Sequence, residues 1–285
     1  PGEAQHRRLR GRTGLRAGDI AGVFGQRPYV MQAPRLYVDP PLAAGGQVNL
    51  PETAARHVAR VLRLRAGDAL TVFDGRGGEY RATLARVSRA AVVVDVGAHE
   101  PADRESPLIV ELGQGICKGD RMDLVVQKAT ELGVGIIRPI VCERTVVKLD
   151  LKLDPGRAER RLAHWRAIAV HAAQQSGRTR VPEVAGIEHL DPWLDPWLAC
   201  SDTGPGPMFV LSPHADQSLP DCAPPAPGEP VRLLVGPEGG LSPREFERAR
   251  AAGFTGLRLG PRVLRTETAA LVALAALQAH WGDLR

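Results

Sequence analysis

Residues 233–270, LLVGPEGGLSPREFERARAAGFTGLRLGPRVLRTETAA, carry the same plan twice: a short apolar strand, a glycine-proline loop, then a helix. The first strand, Val231 to Val235, is apolar apart from Arg232 and suits a parallel sheet covered on both faces. It stops at Gly236-Pro237, and the following Glu238-Gly239-Gly240 lacks the side chains that would keep a ligand away from the backbone. Ser242, Pro243 and Glu245 then spell a helix start, a capping box with proline at the first helical position. In the second unit residues 257–259 read as a strand, Gly260-Pro261 breaks it, and Thr266 or Thr268 is placed to cap a helix ending near His280. Glycine-rich turns at the carboxyl ends of parallel strands are where open α/β sheets bind ligands. A plain tight turn remains the bland alternative.

Two common phosphate sites do not fit. No lysine follows the glycines as a P-loop requires, and Gly113-Gln114-Gly115 with Gly119 misses the dinucleotide fingerprint by one position. The net charge of +5 is local: seven arginines and two acids fall in residues 1–35, so the remaining chain is balanced. Any affinity for nucleic acid must therefore come from where charge is placed. Residues 1–33, with arginines among glycines and no apolar periodicity, are expected to be a disordered basic tail. The four cysteines are far apart without a C-x-x-C pair, which predicts free thiols and no metal site. No apolar run approaches the length of a membrane span and no signal segment is present, so a soluble cytoplasmic protein is expected.

Between residues 34 and 103 the pattern is one of short strands at residues 35–38, 47–50, 69–74, 80–87 and 92–96, as in a small β-barrel. Residues 52–64 read as one helix that sets Arg56, Arg60 and Arg63 on a single stripe. Residues 56–89 hold eight arginines against three acids, and this stripe is the first candidate for phosphate contacts. An ordinary solvated face is the alternative. Prolines at 101 and 107 mark a boundary, beyond which strands at 108–112 and 135–141 alternate with helices at 120–132 and 157–175. Trp165 is assigned to the core, and 208–211 is a lone strand within a proline-rich stretch.

The motifs LLVGPEGGLS and LGPRVLRTETAA, together with upstream segments such as HVARVLR, QKATELG and QSGR, resemble the bacterial 16S ribosomal RNA uracil-N3-methyltransferases of the SPOUT class. The resemblance spans residues 34–285. It implies a PUA-like RNA-binding barrel over residues 34–103, then a trefoil-knotted, mainly parallel α/β domain over 107–285. It also implies S-adenosylmethionine as cofactor, held by Leu211, Leu234, Gly236, Pro237, Glu238, Gly240, Leu259, Gly260 and Leu264. Uracil N3 loses a proton as it is methylated, so a guanidinium near the developing charge is expected. Arg265 is the leading candidate, with Arg35 and Arg144 behind it, and Glu238 or Glu267 available to accept a proton or cap a helix. Partners implied are the 16S RNA of the small ribosomal subunit and a second copy of the chain. Two alternatives stay open: another SPOUT enzyme acting on transfer RNA or on ribose 2′-hydroxyls, and a non-catalytic ribosome-assembly module.

Overall fold

Alternating apolar side chains in the amino-terminal third form one face of a five-stranded sheet in this computed structural model, which describes residues 33–39, 41–88, 91–147, 154–199 and 206–284. Residues 1–32, and with them the expected basic tail, lie outside the described residues. The strands are β1 (Arg35–Tyr37), β2 (Gln47–Asn49), β3 (Ala69–Phe73), β4 (Glu79–Val87) and β5 (Val92–Glu100), ordered β1-β3-β4-β5-β2. All neighbours are antiparallel except β1 and β3. Leu70, Val72, Ala82, Leu84, Val92, Val94 and Val96 point inward at period two and bury each other with Val58.

The single helix expected over 52–64 is a short one, α1 (Glu52–Arg56), followed by a π-helical turn over His57–Val61. Leu62 N–H donates to His57 O at 3.0 Å and Leu64 N–H to Val58 O at 3.1 Å, and Arg63 sits at φ 54°. The cause is packing: Val58 is fully buried and Leu64 packs on the same core. An α-helix turns residues six apart onto different faces, whereas the wide turn and the left-handed Arg63 return Leu64 to the core. Arg56, Arg60 and Arg63 remain exposed, but they follow an irregular turn rather than an α-helical stripe.

From Val110 onward the chain builds a parallel sheet. Its elements are β6 (Val110–Gly115), α2 (Asp120–Glu131), β7 (Ile136–Val141), α3 (Pro155–Ser176), β8 (Glu183–Val184), β9 (Glu188–His189), α4 (Leu190–Ala199), β10 (Met208–Leu211), β11 (Val231–Val235), α5 (Pro243–Ala251), β12 (Thr255–Leu257) and α6 (Thr266–Trp281). The order is β12-β10-β11-β6-β7-β8, with β9 also on β7. Val110, Leu112, Val231 and Leu233 are completely buried in the central pair, as expected for strands covered on both faces. Trp165 is core as expected, and its indole N–H donates to Asp123 Oδ1 at 3.1 Å.

Two strands sit away from their expected positions. The strand expected at 108–112 starts later because Ser106 Oγ accepts the Leu108 N–H, and it continues through Gly113 and Gly115. A Cβ at Gly113 would lie 2.7 Å from the Trp193 ring, and one at Gly115 2.4 Å from Pro237 N. These glycines therefore exist for close packing of α4 and of the first glycine-proline loop, not for a phosphate. The strand expected at 257–259 is two residues earlier, which leaves Leu259 and Gly260 free for the loop. Helix α4 has no counterpart among the sequence expectations. Pro192 and Pro196 obscure it, yet Trp193 and Leu194 are buried, with Trp193 tilted against Phe254 at 5.5 Å.

A charged joint ties the first sheet to α3. Glu79 accepts from Arg35 Nε at 2.9 Å and Arg104 Nη2 at 3.0 Å, while Arg35 also donates to Ala173 O and Arg178 O. Arg178, 6% exposed, pairs with Glu105 at 2.6 Å and donates to Thr130 O and Val134 O. Truncating one member of such a buried set leaves charged partners unsatisfied.

Candidate active site

The neighbouring strands β10, β11 and β12 end at one edge, and the loops that leave their carboxyl ends enclose a cavity of about 490 Å³. That volume lies within the range of small-molecule sites. Its apolar wall comes from Leu211, Val235, Leu257, Leu259 and Leu264, and its polar side from Gly236 to Gly240 and the start of α6.

Of the expected cofactor residues, Leu211, Gly236, Pro237, Glu238, Gly240, Leu259, Gly260 and Leu264 all line this cavity. Leu234 does not. It is fully buried on the other face of β11 with Met208, Val210 and Phe254, and the next residue, Val235, takes the lining position. Alternation along the strand decides this. Gly240 has φ +67°, and a Cβ there meets nothing within 4 Å. The loop is held from outside by Arg144, whose Nη1 donates to Gly239 O at 3.1 Å and Leu241 O at 3.3 Å. Arg144 thus braces the loop without lining the cavity. Arg35 is in the joint with Glu79 and α3, its guanidinium 3.7 Å over the Phe73 ring, and is not brought to the cavity.

The start of α5 follows expectation: Ser242 Oγ accepts from Glu245 N–H and the Glu245 carboxylate accepts from Ser242 N–H at 2.8 Å. Glu245 also accepts from Glu143 N–H at 2.7 Å, which locks the loop after β7 to this cap. The start of α6 departs from expectation. Arg265 is its N-cap residue without a side-chain cap, and Thr268 lies within the helix. Thr266 Oγ1 donates to Gly236 O at 2.6 Å and accepts from Gln114 Nε2 at 3.0 Å. One buried hydroxyl thereby joins both loops to β6. Beside it burial pushes the Cys117 thiol up to about 12, so no thiolate nucleophile is available.

Arg121, from the first turn of α2, enters the site between two acids. Its Nη1 lies 3.2 Å from Glu238 Oε1 and its Nε 3.7 Å from Glu267 Oε1. Burial raises the Glu238 carboxyl, but hydrogen bonds from the Lys118 and Glu238 backbone N–H groups and the Arg121 charge outweigh it and hold the group below its ordinary range. Glu238 is therefore an anion at neutral pH. Glu238 Oε2 and Glu267 Oε2 are buried without a partner among the described residues. Buried acceptors normally find donors, so these two oxygens are matched to a ligand that brings N–H or O–H groups. At the rim, Arg265 and Arg262 are exposed, and the Arg265 guanidinium has no hydrogen bond or ion pair among the described residues. No sequence pattern signals Arg121, Gln114 or the linking role of Thr266.

A parallel sheet with paired glycine-proline loops at its carboxyl edge, carried behind a separate five-stranded sheet, defines a class. Residues 104–278 match the model of an RNA methyltransferase domain and residues 50–96 that of an RNA methyltransferase PUA domain. The chain is 31% identical over 252 residues to the ribosomal RNA small subunit methyltransferase E of Buchnera aphidicola subsp. Schizaphis graminum, covering 88% of this chain and 98% of the relative. The Bacillus subtilis protein of the same name is 33% identical over 228 residues, 78% of this chain and 85% of its own. Among solved structures, the ribosomal RNA small subunit methyltransferase E of Neisseria gonorrhoeae bound to S-adenosyl methionine superposes with a TM-score of 0.79 at 37% identity, over 89% of this chain and 100% of that one. The chain belongs to the ribosomal RNA small subunit methyltransferase E family.

Proposed function

We propose that this protein binds S-adenosylmethionine in the cavity between the two loops and methylates N3 of one uridine in 16S ribosomal RNA, on the assembled small subunit. The observation that carries the reading is the cavity itself, with an apolar wall, and, among the described residues, two buried carboxylate oxygens lacking donors and an arginine without a partner at its mouth. The leucines suit an adenine ring, the loop backbone its polar edge, and the oxygens of Glu238 and Glu267 the amino or hydroxyl donors of the cofactor. Leu211, Gly236, Pro237, Glu238, Gly240, Leu259, Gly260 and Leu264 are the residues that hold it. When bound, the cofactor supplies an activated methyl group.

Uracil N3 lies on the pairing edge, so the base enters unpaired. As the N3 proton departs to water, negative charge spreads to the ring oxygens, and Arg265 stabilises it from the rim. Arg121 holds Glu238 and Glu267 in place and favours the ionised form of Glu238. Residues 34–103 serve as the RNA-contacting domain and 107–285 as the catalytic one, its loops threaded as a trefoil knot in line with the family resemblance. The active form is a cytoplasmic homodimer, a reading supported by exposed apolar residues at Val263 and Val272 in and before α6.

Methyl transfer to naked 16S RNA and to assembled small subunits, followed by mapping of the modified base, tests the function. Modification at a uridine N3, faster on particles, is expected. A product methylated only on ribose, or no transfer to either substrate, overturns the reading.

Arg60 and Arg63 sit on the exposed irregular turn of the first sheet. Reversing both to Glu is expected to weaken RNA binding and to flatten its salt dependence, by about 0.7 in the log-log slope for each single-strand phosphate no longer neutralised. Cofactor affinity stays unchanged. Binding measured across a salt series checks this, and an unaltered slope identifies the turn as a solvated surface.

A further inference from the structure

A second hollow, of about 340 Å³, opens between the start of α2 and the first half of α3. Arg157, Arg160, Arg161 and His164 line it from α3, and Gly119 and Asp123 from the α2 side. The spacing of these α3 residues places them on one helix face.

The one acid among its described lining residues, Asp123, is already engaged. Asp123 Oδ2 lies 2.8 Å from His164 Nε2, and its Oδ1 accepts the Trp165 indole N–H. Asp154 accepts the Arg157 backbone N–H at the helix cap, and its side chain makes no ion pair with these arginines. The three guanidinium groups have no hydrogen bond or ion pair among the described residues. Like charges three and four residues apart weaken a helix unless something compensates them. Three planar forks converging on one concavity match the oxygens of a phosphate.

The position of the hollow indicates whose phosphate it takes. Gly119, the N-cap of α2, lines the hollow, and Arg121, two residues on in its first turn, lines the catalytic cavity. Two residues span at most about 7 Å. Lys118, exposed and next to Gly119 in the chain, adds a positive charge at this turn. A strand whose base enters the cavity would have its neighbouring backbone directly over this turn.

We propose that the hollow between α2 and α3 seats a backbone phosphate of the substrate RNA next to the nucleotide that enters the cavity, with Arg157, Arg160 and Arg161 as its ligands. The inference rests on the reading of the cavity as an RNA methylation site. It makes the catalytic domain an RNA-binding surface in its own right, beyond the arginines of the first sheet.

The full-length protein with Arg157→Gln, Arg160→Gln and Arg161→Gln combined tests it. RNA binding to a small-subunit RNA fragment is measured over a salt series, beside cofactor titration and methyl transfer. The slope of log affinity against log salt is expected to fall by roughly 0.7 for each phosphate no longer neutralised. KM for RNA rises, while the rate at saturating RNA and the cofactor affinity stay as in the wild type. The corresponding triple Lys variant, which keeps the charges, is expected to retain most of the slope. An unchanged slope in the Gln variant, beside an active wild type and intact cofactor binding, overturns the phosphate seat alone. Tighter binding of a polyglutamate peptide than of RNA at equal salt assigns the hollow to an acidic protein and overturns it too. A wild-type protein that neither binds nor methylates RNA overturns the proposed function and this inference together.

Discussion

Arg265→Ala is expected to lower the single-turnover rate of methyl transfer by about a hundredfold or more while leaving cofactor affinity nearly intact. The side chain is exposed at the mouth of the cavity, at the N-cap of α6, and has no partner among the described residues whose loss would disturb the fold. Its role is to meet charge that develops on the uracil, and removing one such donor typically costs two to three orders of magnitude in rate. Arg265→Lys recovers only part of it, because an ammonium keeps the charge and loses the planar fork. Single-turnover transfer on small subunits, with cofactor binding measured separately, checks both variants. A wild-type rate in Arg265→Ala removes the residue from catalysis, and loss of cofactor binding alone moves its role to the loop.

Gly240→Val is expected to abolish cofactor binding in a protein that still folds. The position needs φ +67°, where a β-branched residue is a genuine outlier. The strain is on the order of 1–3 kcal/mol, which loosens the loop without unfolding a domain whose core lies elsewhere. A Cβ at Gly240 would meet no protein atom within 4 Å, so the added methyls would fall in open space beside the cavity rather than clash with the core. Calorimetric titration with S-adenosylmethionine and a thermal melt separate the two effects. Undiminished affinity in a variant that melts only a few degrees lower shows that the loop does not cradle the ligand.

How much of this site is readable from the chain alone differs from residue to residue. Gly236, Glu238 and Gly240 are legible because a strand, a glycine-proline break and a capping box follow one another within the fifteen residues from Val231 to Glu245, and each signal is local. Leu234 is misplaced by one position, since a buried strand that is apolar on both faces gives no alternation by which to choose its inward side. Arg121 leaves no mark in the sequence: it meets Glu238 across 117 residues, and an arginine in the first turn of a helix is commonplace. Thr266 reads as a cap because threonine before an apolar run usually is one. Only the approach of Gln114 and of Gly236 O turns its hydroxyl into a link between loops. Likewise residues 52–64 carry ordinary helical spacing, and the demand that Val58 and Leu64 share one core produces the π turn instead.

The sequence by itself determined the succession of elements, the two glycine-proline loops and the family, because turn chemistry, capping and hydrophobic period act over a few residues and are written in consecutive letters. Tertiary structure alone decided the order of strands β12-β10-β11-β6-β7-β8, and with it which loops share a cavity. It also decided that Arg35 closes a joint with Glu79 while Arg265 is left at the cavity rim. Such choices depend on charges and side chains far apart in the chain competing for the same partners, and that competition is settled only once the sheet has brought them together.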